Sequence, residues 1–262
     1  MIAKSDLIEG MVKGMAVLES FDTERQRLNA TLAAQRAGIT RAAARRHLLT
    51  LAHLGYLETD DGWFWLSSKV LRFSGSYLAS TRLSRVAQPV LESLAAQTHE
   101  SFSVVIPNGD EVVIVARSSL PALPGSTSRP GFTVRAYGLH LGARLPTHAT
   151  STGRVLLAAM PAQALSDWLR GRVLTKLTPH TLTDVRAFRA LIRQVKAEDY
   201  CFSSEEHELG IQALAVPMRN SQGQTLAALN VVCETARWSA EDMRHKLLPV
   251  LRDAASELRL LL

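Results

Sequence analysis

Residues 29–54 contain two short helical patterns separated by a single glycine. Asn29 is a favourable N-cap for the first helix, and Gly38 suits the left-handed residue that commonly ends such a helix. Thr40 can cap the second helix, Arg41–Leu54. Two short helices joined by a tight glycine turn are typical of a helix-turn-helix motif.

A β-hairpin is predicted directly after the second helix. The stretch GYLETDDGWFWL holds two short apolar segments around Asp61-Gly62, and an Asp-Gly pair in that setting is a strong hairpin signal. An earlier helix is predicted from Met11, Met15 and Leu18, which share one helical face. Three helices followed by a hairpin predict a winged helix-turn-helix domain over residues 1–66.

Positive charge collects along the helix-turn-helix stretch. The whole chain carries 30 Lys and Arg against 24 Asp and Glu, a mild excess that favours anionic partners without identifying one. Residues 30–57, by contrast, hold four arginines, two histidines and no acidic residue. On the second helix, Ala44 and Leu48 share one side, whereas the arginines lie on the outward side and its flank.

These features predict that the second helix enters the major groove of double-stranded DNA, N-terminal residues first. Its arginines would contact phosphates or guanine edges, and the wing, residues 58–65, would lie along the backbone. The predicted DNA contacts are Thr40, Arg41, Ala42, Arg45, Arg46 and Trp63. Two alternatives stay open: an ordinary solvated basic helix, and a winged helix that docks a protein.

The rest of the chain divides into a linker and a larger domain. Val70, Phe73 and Tyr77 continue a helical pattern. Pro89 falls inside the next helical run, where its missing N–H is unfavourable. We therefore predict a linker helix over residues 67–82 and a C-terminal domain over residues 83–262.

The C-terminal domain alternates strand and helix patterns. The predicted elements are, in order, a hairpin at 101–118 that turns at Asn108-Gly109, a loop at 120–131, a strand at 132–139, helices beginning near Ser151, 162 and 184, two strands around a turn at 220–223, and a closing helix at 239–262. Strands interleaved with helices in this way predict an α+β domain with an antiparallel sheet.

Composition excludes several protein classes. The chain is 47% hydrophobic and 21% charged, as is typical of a folded soluble protein. No apolar run reaches the ~18 residues of a membrane helix, and the N-terminus lacks the apolar segment of a secretory signal. The two cysteines form neither a metal-spaced cluster nor a disulfide framework. Together these observations predict a cytoplasmic protein.

Signatures of common enzymes are missing from the sequence. It contains no GxSxG, P-loop, GxGxxG or HExxH motif. Glu205, Glu206, His207 and Glu208 look like metal ligands, but adjacent residues on one segment point in divergent directions and no second cluster accompanies them. We therefore expect no enzymatic activity, no metal and no cofactor.

Several linked stretches resemble the IclR family of bacterial transcription regulators, and its aromatic-catabolism branch in particular. They are ITRAAARRHLLTLAHLGYLETDDGWFWL with the linker that follows, LGARLPTHATSTGRVLLA, and EEHELGIQALAVPMRNSQGQTLAALNV. The resemblance covers nearly the whole chain, in order. It implies a GAF/PAS-like effector domain with a curved sheet flanked by helices. It also implies homodimers through the N-terminal domain, often paired into homotetramers.

The resemblance further implies that the C-terminal domain binds a small carboxylate between its sheet and the flanking helices. The effector contacts that it carries over are Ser151, Thr152, Ser203, Ala213, Asn230 and Val232. The residues themselves support part of this set. Ser151, Thr152 and Gly153 lie at a predicted helix start, where free backbone N–H groups and the helix dipole favour a carboxylate. A helix cap alone would also explain these three residues.

The sequence departs from the family's founding member, which responds to glyoxylate and pyruvate. Ser203 and Ala213 stand where that protein has an aspartate and a cysteine, and Asn230 and Val232 stand where it has two serines. The loss of an acid and of polar groups favours a different, larger or more apolar ligand.

Two further side chains would suit an aromatic acid. Arg135 could pair with a carboxylate, and His148 could bond a phenolic hydroxyl; surface solvation and burial in the core are their respective alternatives. Our hypothesis is a regulator of aromatic-acid catabolism that senses protocatechuate, 4-hydroxybenzoate, terephthalate or a β-ketoadipate-pathway acid. A regulator that senses a non-aromatic carboxylic acid is the main alternative.

Overall fold

A computed structural model of the chain describes residues 3–118 and 139–262. These residues form two compact units, one ending at Ser80 and the other beginning at Thr81. The predicted loop at 120–131 and most of the predicted strand at 132–139, with Arg135, lie outside the described residues.

The first unit is a winged helix-turn-helix, as predicted. Its elements are the helices α1 (Glu9–Leu18), α2 (Ala30–Ala37) and α3 (Arg41–His53), the hairpin strands β1 (Leu57–Asp60) and β2 (Trp63–Leu66), and the helix α4 (Leu71–Ser80). A core of small and aliphatic side chains from the three helices, closed by Phe64 of the hairpin, holds the unit together.

Local capping explains the helix boundaries in this unit. The side chain of Asn29 accepts hydrogen bonds from the N–H groups of Thr31 and Leu32, and Gly38 ends α2 with a φ of +65°. Thr40 Oγ1 accepts from the N–H of Ala43 and starts α3. Each signal acts within a few residues, which is why the sequence predicted both boundaries.

Two residues of the apolar stripe that predicted α1 face outward in the structure, whereas the third, Leu18, packs against the core of the unit. Met11 is 63% exposed and Met15 is 46% exposed, and the buried side chain of the helix is Val17. Further apolar side chains are exposed nearby in sequence at Ile8 and Val12. The first unit therefore presents an apolar surface along α1.

The second unit is built around a six-stranded antiparallel sheet. Its elements are α5 (Arg82–Thr98), β3 (Ser101–Asn108), β4 (Glu111–Arg117), β5 (Arg144–Pro146), α6 (Ser151–Ala158), α7 (Ala162–Leu169), α8 (Val185–Glu198), β6 (Cys201–Ser204), β7 (Ile211–Arg219), β8 (Thr225–Glu234), α9 (Ala240–Asp242), a π-helical segment at Met243–Leu247, and α10 (Leu248–Arg259). The strand order is β5-β4-β3-β8-β7-β6. None of the helices described in this structure combines the length and apolar content that crossing a membrane requires.

Helices cover both faces of this sheet. Side chains of α5 and α10 pack on one face, and side chains of α6 and α8 pack on the other. Two details differ from the prediction. The turn of the β3–β4 hairpin is Gly109 and Asp110, because Asn108 still pairs with Glu111. The short strands β5 and β6 were not predicted. The predicted break between two helices near Ser80 is present between α4 and α5, and Pro89 lies inside α5.

Candidate ligand cavity and nucleic-acid interface

The exposed face of α3 carries three arginines. Arg41, Arg45 and Arg46 are exposed, whereas Ala44 and Leu48 on the opposite side are buried. Within residues 3–118 and 139–262, none of these three guanidinium groups forms an ion pair. Cations without a counter-charge on one helix face suit phosphate oxygens and the acceptor atoms of guanine.

The wing presents one tryptophan more openly than the other. Trp63 begins β2 and is 40% exposed. Trp65 instead makes two contacts within the first unit. Its Nε1 donates a hydrogen bond to Glu58 at 2.9 Å, and the Arg27 guanidinium lies 4.4 Å from the centre of its ring. Trp63 is therefore the more exposed of the two tryptophans in the wing. Of the other predicted contacts, Thr40 and Ala42 are exposed at the start of α3.

A cavity lies between the sheet and the start of α6 in the second unit. It is partly open to solvent and is lined by the sheet, the start of α6 and the loop after β6. The predicted contacts that line it are Ser151, Thr152, Ser203, Ala213, Asn230 and Val232. Apolar side chains, including Val105, Ile114 and Leu145, form much of the remaining wall.

The sheet presents a row of polar side chains to this cavity. Ser103 on β3 lies directly opposite Arg117 on β4 and Asn230 on β8, and residues opposed in antiparallel strands point to the same face. Nη1 of Arg117 donates to Ser103 Oγ over 3.4 Å. We call Arg117, Ser103 and Asn230 the polar row.

Sequence reasoning did not find Arg117 or Ser103. A signal for Ser103 was present, because Ser101 and Ser103 alternate with Phe102 and Val104 and so occupy the face of β3 opposite the large apolar side chains. Arg117 ends a strand whose five central residues are apolar, but only the pairing of β3 with β4 shows that it lies beside Ser103.

Two polar atoms in the cavity wall are buried without a partner among the described residues. They are Ser151 Oγ at the start of α6 and Asn230 Oδ1 in the polar row; the two residues are 1% and 8% exposed. A buried polar atom left unbonded costs about 1–3 kcal/mol. Both residues line the cavity, so the two unpartnered atoms lie in its wall.

Gly153 and His148 lie beside the cavity and do not line it. A Cβ on Gly153 would sit 2.1 Å from the carbonyl oxygen of Thr147, so glycine allows α6 to pack against the turn that precedes it. His148 Nε2 donates to the carbonyl oxygen of Thr175 at 2.9 Å and is buried. Both residues therefore pack against neighbouring segments of the unit and do not face the cavity.

The loop after β6 closes one side of the cavity with acidic residues. Both carboxylate oxygens of Glu206 accept hydrogen bonds from the buried guanidinium of Arg154. Glu205 accepts from the N–H of Gly210 at 2.8 Å. Burial lowers the pKa of His207, which also lines the cavity, so its imidazole is held neutral near pH 7. The carboxylates of Glu205 and Glu206 are thus engaged in structural contacts, which disfavours a metal site.

Two protein-family models match the chain. The model described as the IclR helix-turn-helix domain matches residues 11–61. The model described as the C-terminal part of the bacterial transcriptional regulator IclR matches residues 75–260. The two matches together span the exposed arginines of α3 and the whole cavity.

Proteins that are similar to this chain in sequence or structure are named as transcription regulators. The p-hydroxybenzoate hydroxylase transcriptional activator of Acinetobacter baylyi is 49% identical over 258 residues, which cover 98% of this chain and 93% of that protein. A transcriptional regulator from Rhodococcus sp. RHA1 has a similar structure, with a TM-score of 0.78, 38% identity and 97% of each chain covered. The inducer-binding domain of the Acinetobacter transcription factor PobR, solved as a double mutant with 3-hydroxybenzoic acid, matches with a TM-score of 0.62 and 45% identity over 68% of this chain and 98% of that one.

Proposed function

The chain belongs to the IclR family of bacterial transcription regulators, and from that premise we propose that it senses an aromatic carboxylic acid. It is a regulator rather than an enzyme. In this proposal the acid binds the cavity of the second unit and changes how the first unit binds operator DNA. Transcription of genes for aromatic-acid catabolism would thereby respond to the presence of the acid. The effector must bind two states of the protein with different affinities, since otherwise it shifts nothing.

One observation carries the ligand assignment. The accessible surface of the cavity is largely apolar. Two buried polar atoms of its lining residues, Ser151 Oγ and Asn230 Oδ1, have no hydrogen-bond partner among the described residues. An aromatic ring would fill the apolar part, and its polar substituents would satisfy the two atoms. The names of the relatives, one an activator for a p-hydroxybenzoate enzyme and one solved with 3-hydroxybenzoic acid, support the same class of ligand.

The DNA side of the proposal uses the exposed arginines of α3. Arg41, Arg45 and Arg46 would enter the major groove with Thr40 and Ala42, and Trp63 of the wing would lie along the backbone. In this scheme residues 1–66 bind DNA, residues 67–82 form the linker and residues 83–262 bind the effector. Since operator DNA is in the cytoplasm of a bacterium, the regulator would act there.

We also propose that the regulator works as a homodimer or a dimer of dimers. The first unit exposes apolar side chains on α1, and the linker helix α4 exposes Leu71, Phe73 and Tyr77. A second copy that covers these side chains would bring two winged helices together. Paired half-sites spaced by one helical turn of DNA, about 34 Å, require such pairing.

A thermal-shift panel on the purified protein tests the ligand class. The panel contains benzoate, 3- and 4-hydroxybenzoate, protocatechuate, terephthalate and short aliphatic acids such as pyruvate and adipate. A ligand at 100 times its dissociation constant stabilises the native state by roughly 2.7 kcal/mol, which is visible as a rise in Tm. A response to aromatic acids alone supports the proposal. A response confined to the aliphatic acids would replace it with the non-aromatic alternative.

The salt dependence of binding to the upstream region of its own gene tests the other alternative, a winged helix that docks a protein. Phosphate contacts release counterions, so specific DNA binding weakens steeply as salt rises. Failure to bind DNA at low salt would favour the protein-docking alternative.

A further inference from the structure

The described residues that line the cavity carry more negative than positive charge. Three of them are glutamates, Glu205, Glu206 and Glu208, and Arg117 is the one permanent cation among them. The buried Arg154 compensates Glu206 without lining the cavity itself, so three carboxylates face two guanidinium groups and one negative charge is in excess. A carboxylate ligand adds a further negative charge to the same site. Its binding is therefore favoured if the wall gains a positive charge at the same time.

His207 is the lining residue that can provide this charge, because imidazole changes its charge close to neutral pH. His207 lies on the loop after β6 and is partly buried, and neither ring nitrogen has a hydrogen-bond partner within residues 3–118 and 139–262. Both nitrogens keep some solvent-accessible surface, since neither belongs to the fully buried polar atoms that lack a partner. The ring can therefore exchange a proton with solvent.

The surroundings of His207 keep its imidazole neutral until a ligand binds. Burial lowers the pKa of His207, the nearby Glu208 carboxylate raises it, and His148, on the turn before α6, lowers it. Arg117, on β4, is a further positive charge of the lining and disfavours a second cation. The balance is a neutral ring near pH 7, and a new anion in the cavity shifts this balance towards the charged ring.

We propose that the cavity takes up a proton on His207 together with the carboxylate of its effector. The proton comes from solvent and forms an N–H bond at the ring nitrogen that lacks one, while the carboxylate stays ionised. The bound anion and the imidazolium then compensate each other's charge within the cavity. This inference rests on the proposed function only in that an acid binds this cavity, and it applies to aromatic and aliphatic acids alike.

The coupling makes effector affinity depend on pH in one direction. If the bound acid raises the pKa of His207, the protonated protein binds the acid more tightly by the same factor, because linkage is reciprocal. The affinity should therefore fall as pH rises through the interval between the pKa of His207 in the free protein and that in the complex, by up to about tenfold per pH unit. Below this interval the ring is charged in both states, and above it the ring is neutral in both, so the affinity levels off.

Calorimetry in two buffers of different ionisation enthalpy, PIPES and ACES, measures the proton directly. The ligand is the tightest acid of the thermal-shift panel, and the difference between the two apparent binding enthalpies gives the number of protons taken up. At about pH 7 the wild-type protein should take up about 0.3 to 1 proton, and His207→Gln should take up none. The two proteins should bind within about threefold of each other at about pH 8, whereas at about pH 6 the wild type should bind about tenfold more tightly.

His180 provides the matched control. It approaches Glu205 to 3.9 Å but does not line the cavity, so His180→Gln should keep the wild-type proton uptake. His207→Asn replaces the glutamine variant if that protein does not fold. The inference is overturned if the wild type takes up no proton, or if folded His207→Gln takes up as many protons as the wild type, which would assign the proton to a glutamate or to the ligand. If no acid binds the wild type, the proposed function itself fails, which is a different result.

Discussion

Arg154 and Glu206 form a two-point ion pair at the edge of the cavity. Arg154 is 1% exposed, and its two terminal nitrogens donate to the two carboxylate oxygens of Glu206. Nε of Arg154 also donates to the carbonyl oxygen of His148, and the N–H of Leu182 donates to Glu206. The pair thus joins α6, the turn before it, the segment before α8 and the loop after β6.

Replacing Glu206 by Gln should destabilise the protein markedly. The substitution leaves the Arg154 charge buried without its counter-charge, and breaking such a pair costs about 3–5 kcal/mol. Urea unfolding of the two proteins measures the difference in the free energy of unfolding. Asp167→Asn is the matched control, because it removes an exposed pair with Arg170 and should cost less than about 1 kcal/mol. Equal losses in both variants would show that burial does not set the strength of the Glu206 pair.

Replacing Arg45 and Arg46 together by Ala should weaken operator binding at least about tenfold, because each arginine supplies a phosphate or guanine contact. If the contacts are to phosphates, the slope of log affinity against log salt should fall by about 1–2. Fluorescence anisotropy with a labelled operator at three salt concentrations measures both quantities. Arg193→Ala removes an exposed arginine from the second unit and should change neither quantity. Unchanged operator affinity in the double variant would contradict the assignment of these arginines to the major groove.

Replacing Ser151 by Asp should abolish effector binding. The substitution places a negative charge at the helix start that is proposed to hold the carboxylate, so like charges meet in a buried wall. Calorimetry with the best ligand of the panel measures the loss, and circular dichroism shows that the variant is folded. Ser256→Asp adds the same charge at an exposed position and should bind normally. Normal binding by the Ser151 variant would place the ligand elsewhere.

Replacing Met11 and Met15 together by Glu should shift the protein to a smaller assembly. Both side chains are exposed on α1, and charges there make the burial of that surface by a second copy unfavourable. Light scattering coupled to size-exclusion chromatography measures the mass. Gln26→Glu adds a charge at another exposed position of the first unit and should leave the mass unchanged. A wild-type mass for the double variant would mean that α1 is not the interface.

Elements whose signals are local were predictable from the sequence. Asn29, Gly38 and Thr40 act on N–H and C=O groups within four residues, and Asp61-Gly62 turns a hairpin whose two strands are adjacent in the chain. Their effect does not depend on the rest of the molecule. The winged helix-turn-helix was therefore predicted almost residue by residue.

Features that depend on distant pairing were not predictable in the same way. Ser103 and Asn230 face each other only because β3 pairs with β8 in one register, and a shift of β8 by one residue would turn Asn230 to the other face of the sheet. The family resemblance supplied Asn230 but not Ser103 or Arg117. Likewise, periodicity found α1 through Met11 and Met15, but it could not show that this stripe faces outward rather than into the core.

The close approach of Gly153 to Thr147 limits how the cavity can be redesigned. Any larger residue at 153 would push the start of α6 away from the turn before it, and the wall that carries Ser151 would move with it. An engineer who wants a biosensor for another compound therefore has to leave residue 153 alone. The strand positions Val105, Ile114 and Val232 are better targets, because their side chains change the shape of the cavity while the sheet holds the backbone in register.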